Sequence, residues 1–321
     1  MEMASLNPNR FEVIVRDNSE DSGKRAILQA IQSPTLKLLT VPNRGGVENF
    51  IEIVRAATGD FVIYLADDDW LSTRGLEQLH AMGEPFATDS SVSGLTGTFL
   101  IETSNMTGFL KFDSLDAFDA HRRLEGYFKA NGPNVLFYAA IRRSVMVFCQ
   151  ELLERLPYKF SFHDQIMTLV YVAAGRLVQI DRAVYFYDLG EWESAEGTLA
   201  KDRAFYRESG LPVELDRLHW LICGLEGALL LRSRLLTDKG FKDAPTLASA
   251  WFSENFARFY ARNREMGYAD SPANMITQQI KTKWRGIGQA NLSELLLDIC
   301  SAFEVVDKDG ADRYFNFWST L

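Results

Sequence analysis

The sequence predicts an α/β fold in which a mainly parallel sheet is flanked by helices and followed by a helical C-terminal region. Three observations carry this expectation. Short β-branched runs alternate with amphipathic stretches between residues 11 and 65. Segments rich in Asn, Asp, Ser and Gly separate them. From residue 198 onward the apolar residues recur at helical spacing. The expected division is therefore an α/β domain over 1–197 and a helical extension over 198–321.

In order along the chain, "FEVIV" (11–15) reads as a strand and "DNSEDSG" (17–23) as a turn that opens a helix. In "KRAILQAIQ" (24–32), Ala26, Ile27, Ala30 and Ile31 share a helical face. "LKLLTV" (36–41) is a second strand. After "PNRGG", Val47, Phe50, Ile51, Val54 and Ala57 form a second helical stripe, closed by Gly59. "FVIYL" (61–65) is a third strand. A βαβαβ order implies parallel strands with helices packed on the sheet. Further on, "VLFYAA" (135–140) reads as a strand and "LHWLICGLEGALLL" (218–231) as a buried helix.

Composition bounds the function. The chain has 321 residues, of which 47% are hydrophobic and 24% charged, enough for a sizeable core. A net charge of −9 excludes broad binding to a nucleic-acid backbone. Cys149, Cys223 and Cys300 lack metal-ligand spacing and read as reduced thiols. The first ten residues have no signal-peptide core, and the 14-residue run at 218–231 is too short and too polar to span a bilayer. These features predict a cytoplasmic protein.

"FVIYLADDDW" (61–70) places Asp67, Asp68 and Asp69 at the end of a buried run. In parallel sheets ligands lie beyond the carboxyl ends of the strands. Asp17, just past the first strand, is expected at the same edge. Clustered carboxylates are tolerated when a hard cation such as Mn²⁺ or Mg²⁺ neutralises them. The plain alternative is a solvated acidic turn.

Taken together, "FEVIVRDNSEDSG … VPNRGGVENFIEIVRAATGDFVIYLADDDWL" resembles the nucleotide-sugar-binding half of family-two-type glycosyltransferases with the GT-A fold. The ordered matches are Asp17, Asn18, Ser19 and Asp21, then Asn43, Gly45 and Asn49, then Ala57, Gly59, Asp60 and Asp67–Asp69. The resemblance implies a GT-A-like sheet and metal-dependent transfer of a sugar, with inversion, from a nucleotide-diphosphate donor. A UDP-sugar is the expected donor and a glycan or other hydroxyl compound the acceptor. It places Asp17, Asn18, Ser19, Asn43, Asn49, Asp67 and Asp68 against the donor, and Asp67, Asp68 and Asp69 against the metal. Asp17 would accept a hydrogen bond from uracil N3–H. The acceptor base would be Asp164, in "FSFHDQIMTLVYV", with capping of an apolar helix as its structural alternative. Arg142, Arg143, His163 and Trp70 are weaker acceptor-side candidates.

One departure stands out. The family's chains begin with a strand and helix ahead of the segment that starts here at Phe11, and only ten residues precede it. Either the start is misassigned or truncated, or another segment fills that place, or the chain is a degenerate relative. The rival functions are a binding protein without the chemistry and a nucleotidyltransferase. The latter usually carries a Gly- and basic-rich triphosphate loop after its first strand, and none is found in the sequence. In the last third, "WFSENFARFYARNREMGY" (251–268) reads as an amphipathic helix facing the catalytic domain, a dimer partner or a membrane surface.

Overall fold

A computed structural model describes residues 6–40, 46–66, 68–103, 107–112, 114–130, 134–160, 163–190, 194–238, 241, 244–265, 272–283 and 291–321. Strand β1 (Val13–Asp17), helix α1 (Ser22–Ala30), strand β2 (Leu36–Thr40) and helix α2 (Gly46–Ala56) lead into strand β3 (Phe61–Val62). Asp21 caps α1 by accepting the Gly23 and Lys24 amides. The predicted face of α1 is not buried: the helix has no buried residue, and Ile27 is 69% exposed. The stripe on α2 behaves as expected, with Phe50, Ile51 and Val54 in the core.

The middle of the chain supplies β4 (Trp70–Leu71), α3 (Thr73–Gly83), β5 (Val92–Glu102), β6 (Thr107–Leu110), α4 (Ala120–Lys129), β7 (Ala140–Arg142), α5 (Arg143–Arg155), α6 (His163–Ala174) and β8 (Arg176–Asp188). The region read as one strand over 135–140 is a 3₁₀ turn at Asn134–Tyr138, followed by β7. A short apolar run does not distinguish strand from turn by periodicity. The third predicted strand also shortens, to two paired residues, because its neighbour β7 is only three residues long.

Among the described residues the strands form two sheets. β1 and β2 make a parallel ribbon, Val13 opposite Leu36 through Asp17 opposite Thr40. The larger sheet runs β3-β7-β5-β8-β4, with β6 paired to β5. Its longest ladder, β5 with β8, is parallel, and its four shorter ladders are antiparallel. Parallel pairing thus dominates the two longest ladders in a mixed α/β arrangement. The ribbon is tied to the connection between α2 and β3 by Glu12, whose carboxylate accepts from the Thr58 and Gly59 amides.

The C-terminal part is helical: α7 (Ala195–Glu208), α8 (His219–Arg232), α9 (Arg234–Thr237), α10 (Ala244–Glu265), α11 (Pro272–Lys283), α12 (Leu292–Glu304) and α13 (Lys308–Ser319). α8 is buried nearly all round, as its uniform apolarity demands. The aromatics Trp251, Phe252, Phe256 and Phe259 of α10 are buried, and Trp251 donates to the Cys223 carbonyl of α8. Gly227 permits that approach, since a Cβ there would lie 2.1 Å from the Trp251 indole nitrogen. One continuous apolar cluster runs from α2 through α6 and α8 to α13. No described helix is long and apolar enough to cross a membrane.

Candidate active site

The acidic edge is built by β8. Asp69 is 6% exposed, and its two oxygens accept from the Tyr185 hydroxyl at 2.6 Å and the Asp188 amide at 3.0 Å. Burial raises its pKa above the usual range, and the negative charges of Asp68 and Asp188 add to the effect. Asp68 beside it is exposed, and Trp70 is 58% exposed at the start of β4. Asp67 lies outside the described residues, as does Asn43.

A carboxylate has about four acceptor positions, so Asp69 retains lone pairs beyond its two internal bonds. Oxygen donors of this kind suit Mg²⁺ or Mn²⁺. No group of three potential ligands occurs among the described residues. Among the described residues this edge offers the carboxylates of Asp68 and Asp69 as oxygen donors.

Asp164 stands in the first turn of α6, one residue inside its start, not at the cap. Its Oδ2 accepts from Asn134 Nδ2 at 2.8 Å, and its Oδ1 accepts from the Gln165 amide at 2.7 Å. The residue is half-buried. Desolvation raises its pKa to about 6, against the lowering effect of those two donors.

An aromatic wall connects the two acids. The Tyr138 ring lies 4.9 Å from Tyr185 and 5.4 Å from Tyr187. The charges of Asp69 and Asp164 are both felt at the Tyr138 and Tyr187 hydroxyls, and Tyr187 hydrogen-bonds Asn134. The parity of a strand puts Tyr185 and Tyr187 on one face. That period-two signal in "VYFYD" was the available clue to Tyr185 and Tyr187, which the motif reading missed along with Asn134 and Tyr138.

The other candidates fall into two groups. Asp17 ends β1 and is 3% exposed. Its Oδ1 accepts from the Ser19 hydroxyl at 2.6 Å and the Ser19 amide at 3.1 Å, and these bonds lower its pKa. Its Oδ2 lies 3.6 Å from Arg25 Nε. Asn18 is half-buried beside it, and the buried Oδ1 of Asn49 has no hydrogen-bond partner among the described residues. Asp17, Ser19 and Arg25 thus meet at the end of β1.

The remaining three serve the framework. Arg142 donates to the carbonyls of Val92, Ala87, Phe86 and Asp89, so its guanidinium is committed to backbone. Arg143 Nε donates to the Ala57 carbonyl at 2.7 Å. His163 is buried, its Nε2 accepting from the Phe160 amide, and burial lowers its pKa to about 3.

A mixed α/β sheet thus carries an acidic lip on one side and a desolvated carboxylate across an aromatic wall. Residues 3–99 match the family described as Glycosyl transferase family 2. Among solved structures, S. aureus TarS 1-349 is 15% identical, with a TM-score of 0.44 over 99% of this chain and 84% of that one. The same protein in complex with UDP is 14% identical, with a TM-score of 0.40 over 84% of this chain and 86% of that one. Among curated proteins, none matches the chain by sequence.

Proposed function

We propose that this protein is a metal-dependent, inverting glycosyltransferase that moves a sugar from a UDP-type donor to a hydroxyl acceptor. The observation that carries the reading is Asp164, a half-buried carboxylate raised to about 6 and aimed by Asn134. Such a group is ionised at neutral pH and more basic than an ordinary carboxylate, as a general base requires. In this reading Asp164 takes the acceptor's proton as the acceptor oxygen attacks the anomeric carbon and the bond to the nucleotide diphosphate breaks. Asp17 receives the N3–H of the base, with Asn18, Ser19 and Asn49 around it. Asp68 and Asp69 would hold a divalent cation, Mn²⁺ or Mg²⁺, with Asp67 preceding them in sequence, and Asn43 would meet the donor. A bound cation supplies charge neutralisation for the departing diphosphate. Trp70, exposed beside Asp69, offers a flat face to a sugar ring.

The test combines calorimetry with turnover. Asp164→Asn is expected to keep Mn²⁺-dependent UDP-sugar affinity while transfer falls by roughly 100-fold or more. Asp68→Ala is expected to lose the Mn²⁺-dependent part of that affinity, as EDTA does for the native protein. Full turnover by the Asp164 variant would remove the base from the scheme. A second reading, a donor-binding protein without the chemistry, is favoured by the separation of the Asp17 ribbon from the sheet that carries Asp69. Donor binding with no turnover in the native protein would select it.

A further inference from the structure

Glu226, in the middle of α8, is fully buried. An isolated acid in such a place is costly unless its partners hold it. Its Oε1 accepts from the Tyr314 hydroxyl of α13 at 2.6 Å, and its Oε2 lies 4.0 Å from His163 Nε2. His163 is the first residue of α6 and the immediate neighbour of Asp164. The segment entering α6 is packed by the same C-terminal helices. Tyr158 sits 5.2 Å from Phe303 and 5.8 Å from Tyr314, and its hydroxyl donates to Asp307 at 3.2 Å. Phe160 lies 6.0 Å from Phe303 and 6.1 Å from His163.

We infer that Glu226 is a positioning residue for Asp164: with Tyr314 it forms the seat on which His163 rests, so that α8 and α13 hold the first turn of the helix bearing the base. The inference rests on the reading of Asp164 as that base, and it gives the C-terminal helices a role in the chemistry that packing alone does not require. Burial raises the Glu226 pKa to about 8 and lowers that of His163, which favours an uncharged pair at neutral pH. Tyr206 and Cys223 also face Glu226, Lys159 and His219 face His163, and Asp202 faces Asp164. An uncharged seat orients α6 without adding a field of its own to the neighbouring carboxylate.

The test reads the two side chains directly and needs no substrate. Asp164 is titrated by carboxyl ¹³C NMR, and the His163 ring signal is followed among the four histidines. Tyr314→Phe removes only the hydroxyl, Glu226→Leu removes the acid, and Glu226→Gln keeps an acceptor for Tyr314. In the first two variants water enters beside a loosened first turn. The Asp164 midpoint is then expected to fall by about half a unit or more toward the ordinary carboxylate range, with a displaced His163 signal. Glu226→Gln is expected to hold both near native values. Thermal melts establish that each variant is folded, and Tyr314→Phe serves if Glu226→Leu does not fold. An unchanged midpoint in folded Tyr314→Phe, or a shift in Glu226→Gln as large as in Glu226→Leu, overturns the inference. Failure of the base assignment would instead show as undiminished transfer by Asp164→Asn, whatever these titrations give.

Discussion

At the residue scale the site rests on opposed influences at Asp164. Desolvation drives its pKa up, and the Asn134 amide pulls it down. Replacing Asn134 with Ala removes a lowering influence, so the Asp164 midpoint rises above about 6. The acid limb of the turnover profile should move to higher pH with it, since the protonated carboxyl cannot accept a proton. A profile that keeps its native limb in Asn134→Ala would show that another group sets it. Asp69 differs in kind: its two oxygens are already engaged by β8, so it anchors the lip while Asp68 meets solvent. The motif made the acids visible in the sequence but not this division of labour, which depends on Tyr185 and Asp188, more than a hundred residues along the chain.

At the scale of elements, helices with a strong apolar stripe were legible and short strands less so. The α2 stripe and the all-round apolarity of α8 each predicted their burial. The α1 stripe did not, because a helix's apolar face is buried only where another element covers it, and α1 lies outside the core. Arg142 shows the same limit. The resemblance suggested it as an acceptor-side contact, whereas the fold turns it back onto the carbonyls of Phe86, Ala87, Asp89 and Val92. Unpaired carbonyls in a half-buried turn are unfavourable. Arg142→Met should therefore destabilise the protein by about 3 kcal/mol, read from urea midpoints, with little change in donor affinity. Loss of donor binding with native stability would return Arg142 to the site.

For the whole molecule, the apolar cluster that links the sheet to the last helix encloses an acid, Glu226. Its folded-state pKa, about 8, is raised above the ordinary 4.5. Between those values the folded protein keeps a proton that the unfolded chain has released, so stability falls as pH rises through this window. Glu226→Gln has no such proton. Its Tm should exceed the native value near pH 8, by the equivalent of a few kcal/mol, and the difference should shrink toward pH 5. Parallel melting curves at all pH values would mean that Glu226 has the same pKa in the folded and unfolded states. None of this was legible in "LHWLICGLEGALLL", because a lone Glu in an apolar helix does not reveal what faces it. The division of the strands into a ribbon and a larger sheet has a dynamic consequence. No ladder is shared between them among the described residues, so opening the ribbon breaks side-chain latches such as Glu12 on Thr58 but leaves the main β-ladders intact. Amide exchange would then be faster at Val13–Asp17 than along Val92–Glu102, giving the Asp17 ribbon a looseness that the larger sheet lacks.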